Sequence, residues 1–336
     1  GDVGVLKKLS RSSQPLNRIA LYVAGERAAE LELPSPALAV PQNALEEALL
    51  GALRAEGVAL KAPYQATLIE EQGDRARVRV TRRELVTAGS PALAGEWEPV
   101  ESLTIDAEFV IGADGYDSRV RGALGIETVE LAHAEAFAIF EFKSGGEPKP
   151  ELGLVFDDRL GSALTPLPDG RQRWAFQVTS ELSEVSDLAR LRTLLSARAP
   201  WYDLRTDAVD WGTLTHFERR LARRFGRGRV WLAGDAAHVT SPFGAQSMNV
   251  GLHEACELSE RIADCKAGKK RSESLEQYGI ERQREWHKLL GCNVHLDVLP
   301  HAAKWLPCHA RQILPALPAS GPDLDRLLEQ LGLVVR

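Results

Sequence analysis

The sequence is poor in residues that would staple or anchor it from outside. Its 336 residues hold four cysteines, Cys256, Cys265, Cys292 and Cys308, with no Cys-x-x-Cys spacing. A zinc site or a disulfide framework needs clustered thiols, so neither is expected, and a reducing cytoplasm is the expected setting. No apolar run approaches the roughly 20 residues that span a bilayer, and no signal peptide is recognised. A soluble protein with no integral membrane segment is expected. Positive charge is short as well: 41 Lys and Arg against 47 Asp and Glu leave a net charge of −6, which argues against a nucleic-acid partner. A local cluster, Arg219, Arg220, Arg223, Arg224, Arg227 and Arg229, reads as a solvated loop or helix face, with contact to a cofactor phosphate as the alternative. His295, His301 and His309 are scattered, and no metal site is expected. The only methionine is Met248.

What is present is a chain 44% hydrophobic and 26% charged, able to bury a large core in two subdomains. Its most informative stretch begins Val230-Trp231-Leu232-Ala233-Gly234-Asp235-Ala236-Ala237-His238. Four apolar residues running into Gly-Asp predict a buried strand that delivers the Asp235 carboxylate to its carboxyl end, where open α/β sheets bind ligands. Pro242-Phe243-Gly244-Ala245-Gln246-Ser247-Met248-Asn249 follows, and then a helix in which Met248, Leu252, Ala255, Leu258 and Ile262 are the expected buried face. Small residues in its first turn let a ligand approach unpaired backbone N–H groups.

A second stretch, Leu103 to Arg121, passes from alternation to the apolar run Phe109-Val110-Ile111 and then Gly112-Ala113-Asp114-Gly115-Tyr116-Asp117-Ser118-Arg119-Val120-Arg121. Gly112 and Gly115 permit a tight turn, and Asp114 can accept hydrogen bonds that hold loops around a bound ligand.

Both stretches resemble fingerprints of the FAD-dependent aromatic-ring hydroxylases, the para-hydroxybenzoate hydroxylase-like flavin monooxygenases. The first is similar to that family's Gly-Asp-Ala-Ala-His, proline, Gly-Gly-Gln-Gly-Met-Asn pattern, with Ala245 and Ser247 in place of glycines and Glu254 in place of the usual aspartate. The second fills every fixed position of Gly-Ala-Asp-Gly-x-x-Ser-x-Val-Arg. The family's N-terminal Gly-x-Gly-x-x-Gly turn is not found, so the chain is expected to be a fragment or truncated product lacking the first βαβ unit.

The resemblance implies an α/β fold: a Rossmann-like FAD-binding domain over 1–20, 41–130 and 225–290, a mostly antiparallel substrate sheet over 21–40 and 131–224, and a C-terminal helical tail over 291–336. It implies noncovalent FAD, with Asp235 on the ribityl hydroxyls, Asp114 and Gly115 near the pyrophosphate, and Gly234, Pro242, Gly244, Ala245, Gln246, Ser247, Met248 and Asn249 around the flavin. Gln42, at the start of a helix opened by Pro41, takes the place of a family residue that contacts the pyrophosphate or ribityl chain; an exposed first-turn glutamine is the equal alternative. NADH or NADPH is implied as transient reductant, and a flavin C4a-hydroperoxide would hydroxylate an aromatic or polyketide-like small molecule. That chemistry is the cofactor's, so no catalytic side chain is named, and His238 is expected to brace its loop. A related reductase or halogenase and an inactive flavoprotein-like domain are the alternatives.

The remaining expectations concern elements. A hairpin turns at Gly25-Glu26, Val58-Ala59-Leu60 is a short strand, and 64–72 with 75–82 is a second hairpin. Residues 84–99, holding Gly89, Pro91, Gly95 and Pro99, are a surface loop. Ala136–Phe142, Leu152–Phe156, Ser162–Pro166 and Trp174–Val178 are strands of the substrate sheet. Leu188–Arg198, 273–291 and 323–331 are helices, and Trp201 and Trp211 are expected to fill core.

Overall fold

The structure is a computed structural model that describes residues 4–86, 96–146, 148–157, 160–179, 187–243, 246–292 and 294–336. In chain order it runs α1 (Leu6–Leu9), β1 (Gln14–Val23), β2 (Glu26–Ala39), α2 (Gln42–Ala55), β3 (Tyr64–Gln72), β4 (Arg75–Val86), β5 (Glu96–Ala107), β6 (Val110–Gly112) and α3 (Arg119–Ala123). Then come β7 (Thr128–Lys143), β8 (Glu151–Phe156), β9 (Gly161–Pro166), β10 (Arg171–Val178), α4 (Leu188–Arg198), β11 (Trp211–Ala222), β12 (Gly226–Arg227), β13 (Val230–Leu232) and β14 (His238–Val239). The chain closes with α5 (Gln246–Lys266), α6 (Glu273–Leu289), β15 (Leu296–Val298), α7 (Leu306–Ile313), α8 (Gly321–Leu331) and β16 (Leu333–Val335).

The largest sheet has eight strands in the order β14-β11-β7-β10-β9-β8-β1-β2, antiparallel except where β1 meets β8. Period-two alternation sends neighbouring side chains to opposite faces and so builds two separate cores. On one face Leu21, Phe137, Ile139, Leu154 and Ala175 join a core that includes Ala233, Ala236, Phe243 and the buried side of α5, α6 and α8. On the other face Tyr22, Phe140, Phe142, Trp174 and Phe176 pack under α4 through Leu191, Leu194 and Leu195. Hairpin β1–β2 turns on Ala24 and Gly25, both at positive φ, and β1 carries the sheet across residue 20 without a break.

A small sheet, β12-β13-β6, pairs β13 with β6 in parallel, the Rossmann-like element of an α/β fold. A third sheet, β3-β4-β5, holds the expected 64–82 hairpin, with Val78 buried and Val80 half-buried. No helix among the described residues is long and apolar enough to cross a membrane.

Several expectations need correction. Val58-Ala59-Leu60 joins no sheet among the described residues, and Val58 and Leu60 are 51% and 66% exposed; an apolar triplet becomes a strand only beside a hydrogen-bonding neighbour. The expected loop over 84–99 is invaded from both sides, since β4 runs to Val86 and β5 starts at Glu96. Pro99 is tolerated in β5 because it lies on an edge strand at a register shift, where a missing N–H is no loss. Gly89, Pro91 and Gly95 lie outside the described residues. Arg219 and Arg220 lie on strand β11, neither loop nor helix. Trp211 is 49% exposed, whereas Trp201 stacks on Tyr22.

The face of α5 is also rotated from the expected one. Met248 and Leu252 are exposed, as is Ala255, and the buried line is Val250, Glu254, Leu258 and Ile262. A carboxylate thus occupies a core position, held there by three polar partners.

Candidate functional site

Strand β13 is buried along its whole length, and its chain emerges at Ala233 into a single 3₁₀ turn, Gly234–Ala236, that puts Asp235 at the surface. Gly234 takes φ +62, a left-handed value that glycine adopts without steric strain. Ser247, in the first turn of α5, donates its hydroxyl to Asp235 Oδ1 at 2.7 Å. The other carboxylate oxygen, Oδ2, has no hydrogen bond among the described residues and stands free as an acceptor.

The loop is fastened from beneath. His238 Nε2 lies 2.6 Å from Glu254 Oε2, the Gly234 N–H donates to that same oxygen at 3.2 Å, and the Trp286 indole donates to Glu254 Oε1 at 2.6 Å. His238 also stacks on Trp286, ring centroids 3.8 Å apart, so the expected bracing role is the one its contacts serve. Burial first, then the Glu254 charge, raises the Tyr278 phenol well above its ordinary value. On the other side, β14 pairs His238 and Val239 with Leu221 and Arg220, tying the loop to the large sheet.

The second stretch forms a self-capped turn. Asp114 accepts from Ser118 Oγ at 2.5 Å and from the N–H groups of Arg119 and Val120 at 2.8 and 3.1 Å, while Ser118 Oγ caps Arg121 N at 2.9 Å. These bonds satisfy the first N–H groups of α3. A methyl group at Gly112 would stand 2.6 Å from Val120 Cβ, so glycine is what lets α3 lie across β6 and β13. Gly115 takes φ +79.

Arg121 joins the two stretches: it donates to Ala236 O at 2.8 Å and to Tyr116 O at 2.9 Å. Tyr116, Arg121, Arg220 and Asp235 line one small cleft. The Tyr116 hydroxyl donates to Glu218 at 2.8 Å, a bond that raises its phenol, and the Arg220 guanidinium lies 5.0 Å over the ring.

The other expected residues are placed unevenly. Pro242 is half-buried, and Phe243 after it packs under β9, where a methyl at Gly161 would meet its ring at 2.6 Å. Met248 and Asn249 lie exposed in the first turn of α5, which Gln246 opens. Gly244 and Ala245 lie outside the described residues. Gln42 stands apart: its amide donates to Glu46 at 2.9 Å on an exposed helix turn, and none of its hydrogen bonds reaches Asp114 or Asp235.

Three further polar residues were not legible as a group. Glu135, Gln177 and Arg219 lie on the face of the large sheet that shares its core with the Asp235 loop. Arg219 contacts both Glu135 oxygens at 3.0 and 3.1 Å, and Gln177 bridges Glu135 at 3.1 Å and the Gly161 N–H at 2.9 Å. Strand alternation could have shown that Glu135 and Gln177 point inward with Phe137 and Ala175. Of the rest of the arginine cluster, Arg223 pairs with Glu127 and Arg227 with Glu71, while the Arg229 guanidinium lies 4.8 Å over the Phe109 ring.

This geometry has recognisable relatives. A family described as FAD binding domain matches residues 1–291, and the chain belongs to that family. The chain is 32% identical over 185 residues to 3-(3-hydroxy-phenyl)propionate/3-hydroxycinnamic acid hydroxylase 2 of Burkholderia vietnamiensis (strain G4 / LMG 22486), covering 54% of this chain and 34% of the relative. It is 30% identical over 210 residues to pentachlorophenol 4-monooxygenase of Sphingobium chlorophenolicum, covering 56% and 36%. It thus spans about a third of the length of these curated relatives. Among solved structures, OxyS anhydrotetracycline hydroxylase from Streptomyces rimosus matches with a TM-score of 0.60 and 26% identity, over 86% of this chain and 56% of that one.

Proposed function

We propose that the chain acts as an FAD-dependent monooxygenase that hydroxylates an aromatic or polyketide-like small molecule, with NADH or NADPH as reductant and O₂ as oxidant. The observation that carries the reading is Asp235, exposed at the end of a buried strand with Ser247 on one carboxylate oxygen and the other free. A free, aligned carboxylate is an acceptor suited to the hydroxyls of a ribityl chain. Bound FAD supplies hydride acceptance and oxygen activation.

The chain's own residues supply position. Gly234 and the Glu254 network fix the direction of the Asp235 carboxylate. Asp114 shapes the turn that Arg121 ties to the Asp235 loop, so that both stretches meet one ligand. The first turn of α5 meets Asp235 through Ser247, and the positive end of that long helix favours negative charge on whatever lies against it. Glu135, Gln177 and Arg219 supply polar groups on the same sheet face as Phe137 and Phe217, whose rings meet edge to face at 5.7 Å, and a phenol is the kind of ligand that would use both. Three names among the relatives are those of hydroxylases or monooxygenases of aromatic or tetracyclic compounds, which supports that substrate class.

The test is direct. The purified chain, incubated with FAD and desalted, should keep a flavin absorption spectrum, and NADH or NADPH oxidation should couple to O₂ uptake with 3-(3-hydroxyphenyl)propionate or a related phenol. A protein that leaves the column colourless and consumes no O₂ contradicts the reading.

A further inference from the structure

The large sheet carries a second cavity, on the face turned away from Asp235. Its volume is about 360 Å³, at the lower end of the range for small-molecule sites. Its floor is Tyr22, Gly153, Leu164, Pro166 and Gln172, which belong to the outer core under α4 rather than to the core shared with the Asp235 loop. Trp201 and Tyr202 form one wall, and Lys149 and Arg205 stand at the rim.

Three features define what fits. The first is flatness: Tyr22 and Trp201 stack with centroids 3.9 Å apart and planes 11° apart, and Tyr202 stands edge-on to Trp174 at 5.3 Å. Apolar Leu164 and Pro166 continue this surface, so a planar apolar ring finds partners that a chain of hydroxyls would not. The second is a surplus of donors. The Trp201 indole N–H is buried and has no acceptor among the described residues. Gln172, only 7% exposed, accepts from the Tyr202 hydroxyl and keeps its amide N–H groups without an acceptor among the described residues. A buried donor without a partner, as at Trp201, is rare in folded proteins and points to an acceptor supplied from outside. The third is charge. Both carboxylates at the cavity are already matched, Glu151 by Arg27 at 2.8 Å and Asp203 by Arg205 at 2.6 Å, while the Lys149 ammonium has no carboxylate partner among the described residues.

We propose that this cavity is a binding site for a small planar aromatic carboxylate of one or two rings, its ring against Trp201 and its carboxylate toward Lys149 and the free donors. The site is independent of flavin binding and of the proposed reaction, since it lies on the opposite face of the sheet.

The experiment is calorimetric titration of the full chain with sodium 2-naphthoate. Cyclohexanecarboxylate probes the need for a planar ring, and 2-naphthylmethylammonium probes the need for negative charge. Saturable one-site binding of 2-naphthoate is expected, with both comparison compounds bound at least about tenfold more weakly. Lys149→Gln, an exposed substitution that leaves the fold intact, should weaken binding several-fold. Trp201→Phe keeps a ring on Tyr22 while removing the indole donor, and should weaken it about tenfold. Asp235→Ala should leave it unchanged. The proposal is overturned by no saturable binding, by equal affinity in the Lys149 and Trp201 variants, or by loss of binding in Asp235→Ala, which would put the ligand on the other face.

Discussion

His238 Nε2 and Glu254 Oε2 lie 2.6 Å apart with neither side chain exposed to solvent, sixteen residues apart in sequence and on different elements. The pair, with Trp286 and the Gly234 N–H on the same carboxylate, sets where the Asp235 loop meets α5 and α6. Glu254→Leu would leave three buried donors without an acceptor, and should destabilise the chain by about 3–5 kcal/mol. Glu254→Gln keeps the size and one carbonyl acceptor, and should cost about 1–2 kcal/mol. Urea unfolding of both variants measures this; a Leu variant as stable as the parent would mean that the network carries no stability.

The close crossing of α3 over β6 gives a second pair of outcomes. Gly112→Ala forces a methyl to 2.6 Å from Val120 Cβ and 2.9 Å from Leu232 Cδ2, and should destabilise by about 1–3 kcal/mol. Gly122→Ala, inside α3 where the added methyl meets nothing within 4 Å, should stabilise by about 0.5–1 kcal/mol. Thermal denaturation read by circular dichroism should move in opposite directions for the two; shifts of the same sign contradict the packing described for Gly112.

The alkaline limit of stability follows from two phenols, Tyr278 buried and Tyr202 half-buried. Burial raises Tyr202 to about 12 and raises Tyr278 as well, against about 10 for an unfolded tyrosine. A raised folded value means that folding favours the neutral phenol. The stability linked to it is complete below about pH 10 and is lost as pH climbs, through about 12 for Tyr202. Melting temperatures should therefore fall steeply above about pH 10, together with growth of the phenolate absorption band. Tyr278→Phe should flatten part of that fall, and an unchanged slope would show that the phenol is not the titrating group.

Much of this was legible because each element wore its own period. Val230–Leu232 could be read as a buried strand since four apolar residues, Ala233 the last, ran straight into Gly-Asp, and much of β7 through β10 stood out as strand-like runs, with Pro168-Asp169-Gly170 turning into the last. The turn at Gly112 to Gly115 was visible from its glycines, whereas the capping of α3 by Asp114 and Ser118 was not read. Glu254 was not legible, because a buried carboxylate is stabilised only by partners that the fold brings from far away, here His238, Gly234 and Trp286. The same contacts rotated the buried face of α5 off Met248 and Leu252. β11 escaped notice because its arginines read as a charged surface until Glu135 and Glu218 paired them, and Val58–Leu60 looked like a strand that has no described neighbour.

The measurement that tests the central claim most directly is FAD affinity of the Asp235→Ala variant beside the parent chain, followed by quenching of flavin fluorescence, with a melting curve of each protein. Loss of charge-assisted hydrogen bonds to the ribityl hydroxyls should raise the FAD dissociation constant by about tenfold or more while the melting temperature stays within a few degrees, because Asp235 is exposed and its side chain hydrogen-bonds only Ser247 among the described residues. Equal FAD affinity in the two proteins would contradict the assignment of Asp235 and, with it, the placing of the flavin at this strand end.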